Sequence, residues 1–149
     1  MKLSVISAEV VAGALKMPRV IELMRDAYTA LSKGEVEVPL RTALTNEKGT
    51  VLYKPAYSEL AGIFCAKVVS VFPDNANKGL DVCPGVIIAN SAETGMPIAM
   101  VEASYLTSLR TGAGTGLATD LLAARNAKTA ALFGTGGQAR HQLEAMLEV

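Results

Sequence analysis

The sequence predicts an α/β fold, and three patterns carry that prediction. Apolar residues recur at helical spacing between Pro18 and Gly34. Five strand-like runs follow in succession between Val36 and Val101. Near the C-terminal end, a short apolar run (Thr129–Phe133) leads into the turn GTGGQA at Gly134–Ala139 and then into a helical pattern from Gln138 to Val149. Strands in succession before any βα alternation predict an α+β domain, followed by the first βα unit of a Rossmann domain. The predicted division is residues 1–124 for the first domain and 125–149 for the start of the second, apparently truncated where the chain stops inside a helix.

In order along the chain, Ser7 is a candidate N-cap for a helix ending near Ala14. A second helix starts at Pro18, where proline suits the first turn, and stops at Gly34. Its expected buried face is Val20, Leu23, Met24, Ala27, Tyr28 and Leu31. Val36–Thr45 alternates, with Val36, Val38, Leu40 and Leu44 opposed to Glu37, Arg41 and Ala43. Gly49–Tyr57 pairs with it through the Asn46–Gly49 turn. Gly62–Phe72 is apolar on both faces and reads as a central strand. Val86–Ser91 and Pro97–Val101 flank a hairpin turn at Glu93-Thr94-Gly95. A long helix is expected from Ser104 to Ala124.

Bulk properties narrow the function. Half of the 149 residues are apolar and the formal net charge is zero, which argues against a nucleic-acid surface. No apolar stretch is long enough for a bilayer span, and the N-terminus lacks signal-peptide character. Cys65 and Cys83 are the only cysteines and lack CxxC spacing, so reduced thiols in a cytoplasmic protein are expected, with neither disulfide nor metal site. His141 is the single histidine, leaving little for a His-based triad or zinc site.

Lys67 is the most anomalous residue, set among Ile63, Cys65, Val69 and Val71 on its own face. An unpartnered buried lysine costs several kcal/mol or loses its proton, so an anionic or carbonyl-like group should meet it. A lysine reaching to water or paired with an acid is the alternative. Arg41 lies among apolar neighbours and Arg110 lies in the long helix. Arginine grips carboxylates through two hydrogen bonds, and the three cations together suit a small carboxylate ligand. Three glycines in Arg110–Leu117 each cost about 1 kcal/mol inside a helix, relative to alanine. They imply a small face that packs closely, under the cofactor or against another segment. In GTGGQA, Gly134 permits the turn and Gly136 lets the backbone reach a pyrophosphate. The amides of Gly137 and Gln138 begin the helix, where the dipole favours phosphate.

The lysine strand leading to FPDN and KGL, the ETGMP hairpin, the LTSLRTGAGTG helix and the GTGGQA turn together resemble the ornithine cyclodeaminase/mu-crystallin family across nearly the whole chain. The resemblance implies an N-terminal substrate and dimerisation domain, then a Rossmann domain binding NAD or NADP. It implies that Arg41, Lys67 and Arg110 hold the carboxylate of an amino or imino acid, with Lys67 near the reacting carbon. It also implies that Arg110 and Thr111 touch the cofactor, together with Gly134, Gly136, Gly137 and Gln138. The implied reaction takes a hydride from the α-carbon of a small L-amino acid, or reduces a cyclic imine, in a cytoplasmic homodimer joined through the N-terminal sheet. Two departures stand out. Leu52 occupies the place of a glutamate found in ornithine-cyclising members, and Val82 that of a cofactor-contacting threonine in some members. The 149-residue chain alone is expected to be inactive, since one βα unit cannot bury a dinucleotide. The alternative reading is a non-catalytic ligand-binding or dimerisation module of the mu-crystallin type; a poorly folding remnant of a degraded gene is a third.

Overall fold

The computed structural model describes residues 2–149. Its centre is a seven-stranded mixed sheet: β1 (Ser4–Ile6), β2 (Val36–Glu37), β3 (Thr42–Asn46), β4 (Gly49–Ser58), β5 (Ile63–Val71), β6 (Gly85–Ser91) and β7 (Pro97–Glu102). The strand order is β1-β7-β6-β5-β4-β2, with β3 also paired to β4. All pairings are antiparallel except β1 with β7. Four helices complete the fold: α1 (Ala8–Ala14), α2 (Met17–Lys33), α3 (Ser104–Leu122) and α4 (Ala139–Leu147). A 3₁₀ segment, Pro73–Lys78, follows β5.

Strands β4 to β7 and the hairpin turn fall where alternation places them. Three expectations are corrected. The run Val36–Thr45 is two short strands, because Pro39 has no N–H to donate and residues 38–41 leave the ladder. Its apolar residues do not line a core: Leu40 is 95% exposed, because this segment lies along the sheet edge. Thr129–Phe133 is not a strand. A strand exists by pairing, and no described strand lies beside this one; Phe133 is 94% exposed. The third correction is an addition, since β1 is too short to show a period of two and is held by its parallel pairing with β7.

The core lies between the helices and one sheet face. Val11, Met17, Val20, Ile21, Leu109, Ala113, Leu117 and Ala145 form its buried cluster, with Ile6 and Val101 packed against it from the sheet. On α2 the buried stripe is Met17, Val20, Ile21 and Ala30. Leu23, Tyr28 and Leu31, expected inside, are exposed. There the C-terminal half of α2 and the sheet flank an unfilled apolar cleft of about 420 Å³ that includes Tyr28, Leu31, Ala56 and Cys65. Arg25 of α2 meets Asp120 of α3 at 2.8 Å.

Helix α3 starts where Glu102 accepts hydrogen bonds from the amides of Ser104 (2.6 Å) and Tyr105 (3.1 Å). A carboxylate there also complements the helix dipole. The small face of α3 receives α4. A Cβ on Gly112 would overlap the backbone carbonyl of His141, and one on Gly116 would stand 3.0 Å from Ala145 and from Ile21. Gly114 faces elsewhere, and a Cβ on it would stand 3.4 Å from the Tyr28 hydroxyl. These glycines therefore predict opposite outcomes in urea unfolding. Gly112→Ala is expected to destabilise by about 1–3 kcal/mol through overpacking. Gly114→Ala is expected to stabilise by up to about 1 kcal/mol through helix propensity. Equal effects of the two substitutions would refute the close α3–α4 contact.

Candidate functional site

The register of β4 with β5 sets one wall of the site. The strands fold back about the turn at residues 59–62, which places Lys54 opposite Lys67. Both are half-buried. They share the helix-facing side of the sheet with Leu52, Val69 and Cys65, because directly opposed residues point to the same face and alternate residues repeat it. Lys67 Nζ donates to Thr107 Oγ1 on α3 at 3.3 Å. Arg110 is one helical turn further along α3, on the same side as Thr107. Among the described residues, no carboxylate lies within 4.0 Å of Arg41, Lys54, Lys67 or Arg110.

Burial pushes the Lys67 pKa down from 10.5 to about 8, with help from the positive charges of Arg110 and then Lys54. The ammonium is thus desolvated and repelled, and a neutral hydroxyl is its hydrogen-bond partner. Cys65 lies on the same face, but burial pushes its thiol up, so it stays protonated and is a poor nucleophile. Arg41 is exposed and stands on the far side of β4, just before β3, rather than mid-strand as its surroundings in sequence imply. Its neighbour Thr42 pairs with Tyr53, next to Lys54 in the chain, and Arg41 itself lies just outside that ladder.

Thr107 also belongs to a second wall. A cavity of about 650 Å³ is lined by Val82, Cys83, Thr107, Gly137, Gln138 and His141, among others. It lies between the segment after β5, the start of α3 and the start of α4. The α4 helix begins one residue later than expected, at Ala139, with the Ala139 amide bonded to the Gly136 carbonyl at 2.9 Å. Gly134 has φ +95°, a conformation glycine tolerates, and nothing stands near Gly134, Gly136 or Gly137 where a side chain would be. His141 is 8% exposed; its ring stands edge-on to Tyr105 with centroids 5.2 Å apart, and its Nδ1 has no partner among the described residues. Gly137 and Gln138, at the start of α4, share this cavity with the orphaned His141 and with one acid, Asp81, and a helix N-terminus of this kind suits a phosphate group. Thr111 and Arg110 border a shallower hollow of about 580 Å³ along α3, with Tyr28 and Gly114.

Lys67, Arg110, Thr111, Gly137 and Gln138 are thus arranged around α3, while Arg41 is peripheral. Sequence reasoning missed Lys54, Thr107 and the burial of His141. Lys54 carried a usable signal, since a symmetric fold-back about the turn puts it opposite Lys67.

The fold thus has two layers, with two half-buried lysines on the sheet facing α3 and a glycine turn leading into α4 at its side. The chain belongs to the ornithine cyclodeaminase/mu-crystallin family, whose profile matches residues 1–149. It is 36% identical over 149 residues to alanine dehydrogenase of Archaeoglobus fulgidus, covering 100% of this chain and 46% of that protein. Among solved structures it superposes on an archaeal alanine dehydrogenase dimer with bound NAD, with a TM-score of 0.94 and 35% identity, covering 100% of this chain and 46% of that one. The Thermococcus litoralis Δ1-pyrroline-2-carboxylate reductase, in complex with NADH and L-proline, gives a TM-score of 0.94 and 39% identity, covering 98% and 46%. The chain therefore spans about half the length of these relatives. No helix among the described residues is long and apolar enough to cross a membrane.

The lowered Lys67 pKa has a measurable consequence. Between about pH 8 and 10.5 the unfolded chain keeps a proton that the folded one has released, so stability rises with pH across that window. Below it both states are protonated and the charge is unfavourable to the fold. The Lys67 side chain, followed by NMR, should titrate near pH 8, and Lys67→Met should abolish the rise in stability. An ordinary lysine titration would refute the desolvated site.

Proposed function

We propose that this chain is the substrate-holding part of a nicotinamide-dependent oxidoreductase acting at the α-carbon of a small L-amino acid or cyclic imino acid. The observation that carries this reading is Lys67. It is half-buried and, among the described residues, is bonded only to the Thr107 hydroxyl and lacks a carboxylate within 4.0 Å; Thr107 in turn lines the cavity with Gly137 and Gln138. Residues 1–124 form the substrate and dimerisation domain in this reading, and residues 125–149 begin the cofactor domain.

Arg110 and Lys67 hold the substrate carboxylate, with Arg41 closing on it from the sheet edge. A guanidinium fork and an ammonium together fix both carboxylate oxygens and so fix the α-carbon beside them. Lys67 is also the catalytic cation, polarising a carbonyl or hydrate at the reacting carbon. Gly134, Gly136, Gly137 and Gln138 cradle the cofactor phosphates, and Arg110 and Thr111 border its nicotinamide end. NAD or NADP held there supplies a two-electron hydride acceptor or donor. Leu52 faces the same side as Lys67 and offers no carboxylate for a distal substrate amine, which disfavours ornithine.

The full-length product, given a panel of L-amino acids and cyclic imines, should change nicotinamide absorbance with at least one of them. Lys67→Met should lower kcat/KM by about 10²–10³-fold while leaving thermal stability equal or higher. Loss of stability in step with activity would make Lys67 structural. Binding of a simple carboxylate such as acetate, measured by calorimetry, should weaken as pH rises through about 8, because only the ammonium form attracts it.

The sheet face away from the helices supports a homodimer. It presents Tyr53, Phe64 and Ile88 in exposed positions, with Val5 70% exposed, and Tyr57 stacks on Phe64 at 4.4 Å. So broad an apolar face marks an interaction surface. Ile88→Lys should shift the protein to monomer in analytical ultracentrifugation; an unchanged dimer would place the interface elsewhere.

A further inference from the structure

We infer that Lys54 selects the substrate: Lys54 and Lys67, opposed across β4 and β5 on the helix-facing side of the sheet, hold the two carboxylates of an α-amino or α-imino dicarboxylic acid. This rests on the carboxylate-binding reading of Lys67 and adds a second anionic subsite to it.

The argument starts from the register. Like charges placed directly opposite each other on neighbouring strands are destabilising. Lys54 and Lys67 are such a pair, both half-buried, and neither has a carboxylate within 4.0 Å among the described residues. A monocarboxylic substrate engaged by Lys67 and Arg110 answers the charge on that side of the pair. It leaves Lys54 half-buried with no carboxylate within 4.0 Å among the described residues. A second carboxylate on the substrate answers it.

The arginines are placed to match. Arg110 stands on α3 beside the Lys67 partner Thr107, and Arg41 lies just outside the β3–β4 ladder, one residue before Thr42, which pairs with the Lys54 neighbour Tyr53. The α-carboxylate would thereby meet Lys67 and Arg110, with Arg41 closing from the edge, and Lys54 would meet the second carboxylate. A substrate with a distal amine would instead bring a further cation against Lys54, and Leu52, on the same face, has no charge to offset it. Lys54 is half-buried on the helix-facing side of the sheet, beside Lys67 and with no acid near it among the described residues.

The test uses the full-length product and substrates matched in carbon number: L-aspartate against L-2-aminobutyrate, and L-glutamate against L-norvaline, with kcat/KM read from nicotinamide absorbance. Succinate against butyrate, measured by calorimetry, reads the same preference without turnover. The dicarboxylic member should be favoured by at least about tenfold, the scale of one charge-assisted hydrogen bond. Lys54→Met should erase that preference without lowering the melting temperature, and Lys54→Arg should retain it. Equal use of both members by the unsubstituted protein overturns the inference, as does a preference that survives Lys54→Met. Should none of the amino acids turn over, the oxidoreductase reading is what fails, and the ratio of succinate to butyrate binding then decides the role of Lys54 by itself.

Discussion

The backbone of α4 rests on Gly112 and Gly116 of α3, and the rest of the site depends on that approach. Helix α3 is buried on several sides at once. Leu109, Ala113 and Leu117 enter the core with α1 and α2, the two glycines receive α4, and Thr107 reaches Lys67 on the sheet. Glycine inside a helix costs about 1 kcal/mol against alanine. That cost is offset here because only a hydrogen on Cα leaves room for the His141 carbonyl. The close fit brings Gly137 and Gln138, at the start of α4, to the cavity that Thr107 also lines.

The second constraint is electrostatic. Lys54 and Lys67 belong to neighbouring strands, Arg41 to the segment before β3 and Arg110 to α3, and among the described residues no carboxylate lies within 4.0 Å of them. The ion pairs that do occur, such as Arg19 with Glu22 and Arg25 with Asp120, lie on the surface and contribute little. A fold that sets the half-buried Lys54 and Lys67 opposite each other, with no carboxylate within 4.0 Å among the described residues, trades some stability for that arrangement. The depressed Lys67 pKa, driven first by burial, is the physical sign of that trade.

Much of this was legible in the residues. Caps and stops marked α1 and α2, with Ser7 accepting from the Val10 amide and Gly34 in the left-handed region at φ 72°. Alternation gave β4 to β7, and the glycines of α3 implied a close packing partner. Lys67 was conspicuous because a charge in an apolar strand needs a reason. The misses share a cause. Strand β1 and the run Thr129–Phe133 are alike in being short and apolar, and only the presence or absence of a neighbour distinguishes them. Pro39 was a readable warning that Val36–Thr45 would break, yet periodicity alone passed over it.

By itself, the sequence determined which segments are helical, which alternate, and which residue types can grip a carboxylate or turn around a phosphate. Those are local properties, set by spacing, caps and side-chain chemistry. Tertiary structure decided which of them meet. It set Lys54 against Lys67, gave Lys67 the Thr107 hydroxyl and no acid, and moved Arg41 to the edge. It also seated α4 on α3, so that Gly137 and Gln138 share a cavity with Thr107, the partner of Lys67. Burial and Coulomb interactions depend on distances between segments far apart in the chain, and those distances exist only once the sheet and helices have packed. GTGGQA is a phosphate-turn pattern in sequence, and the packing of α3 sets the start of the helix that follows it on a cavity shared with Thr107.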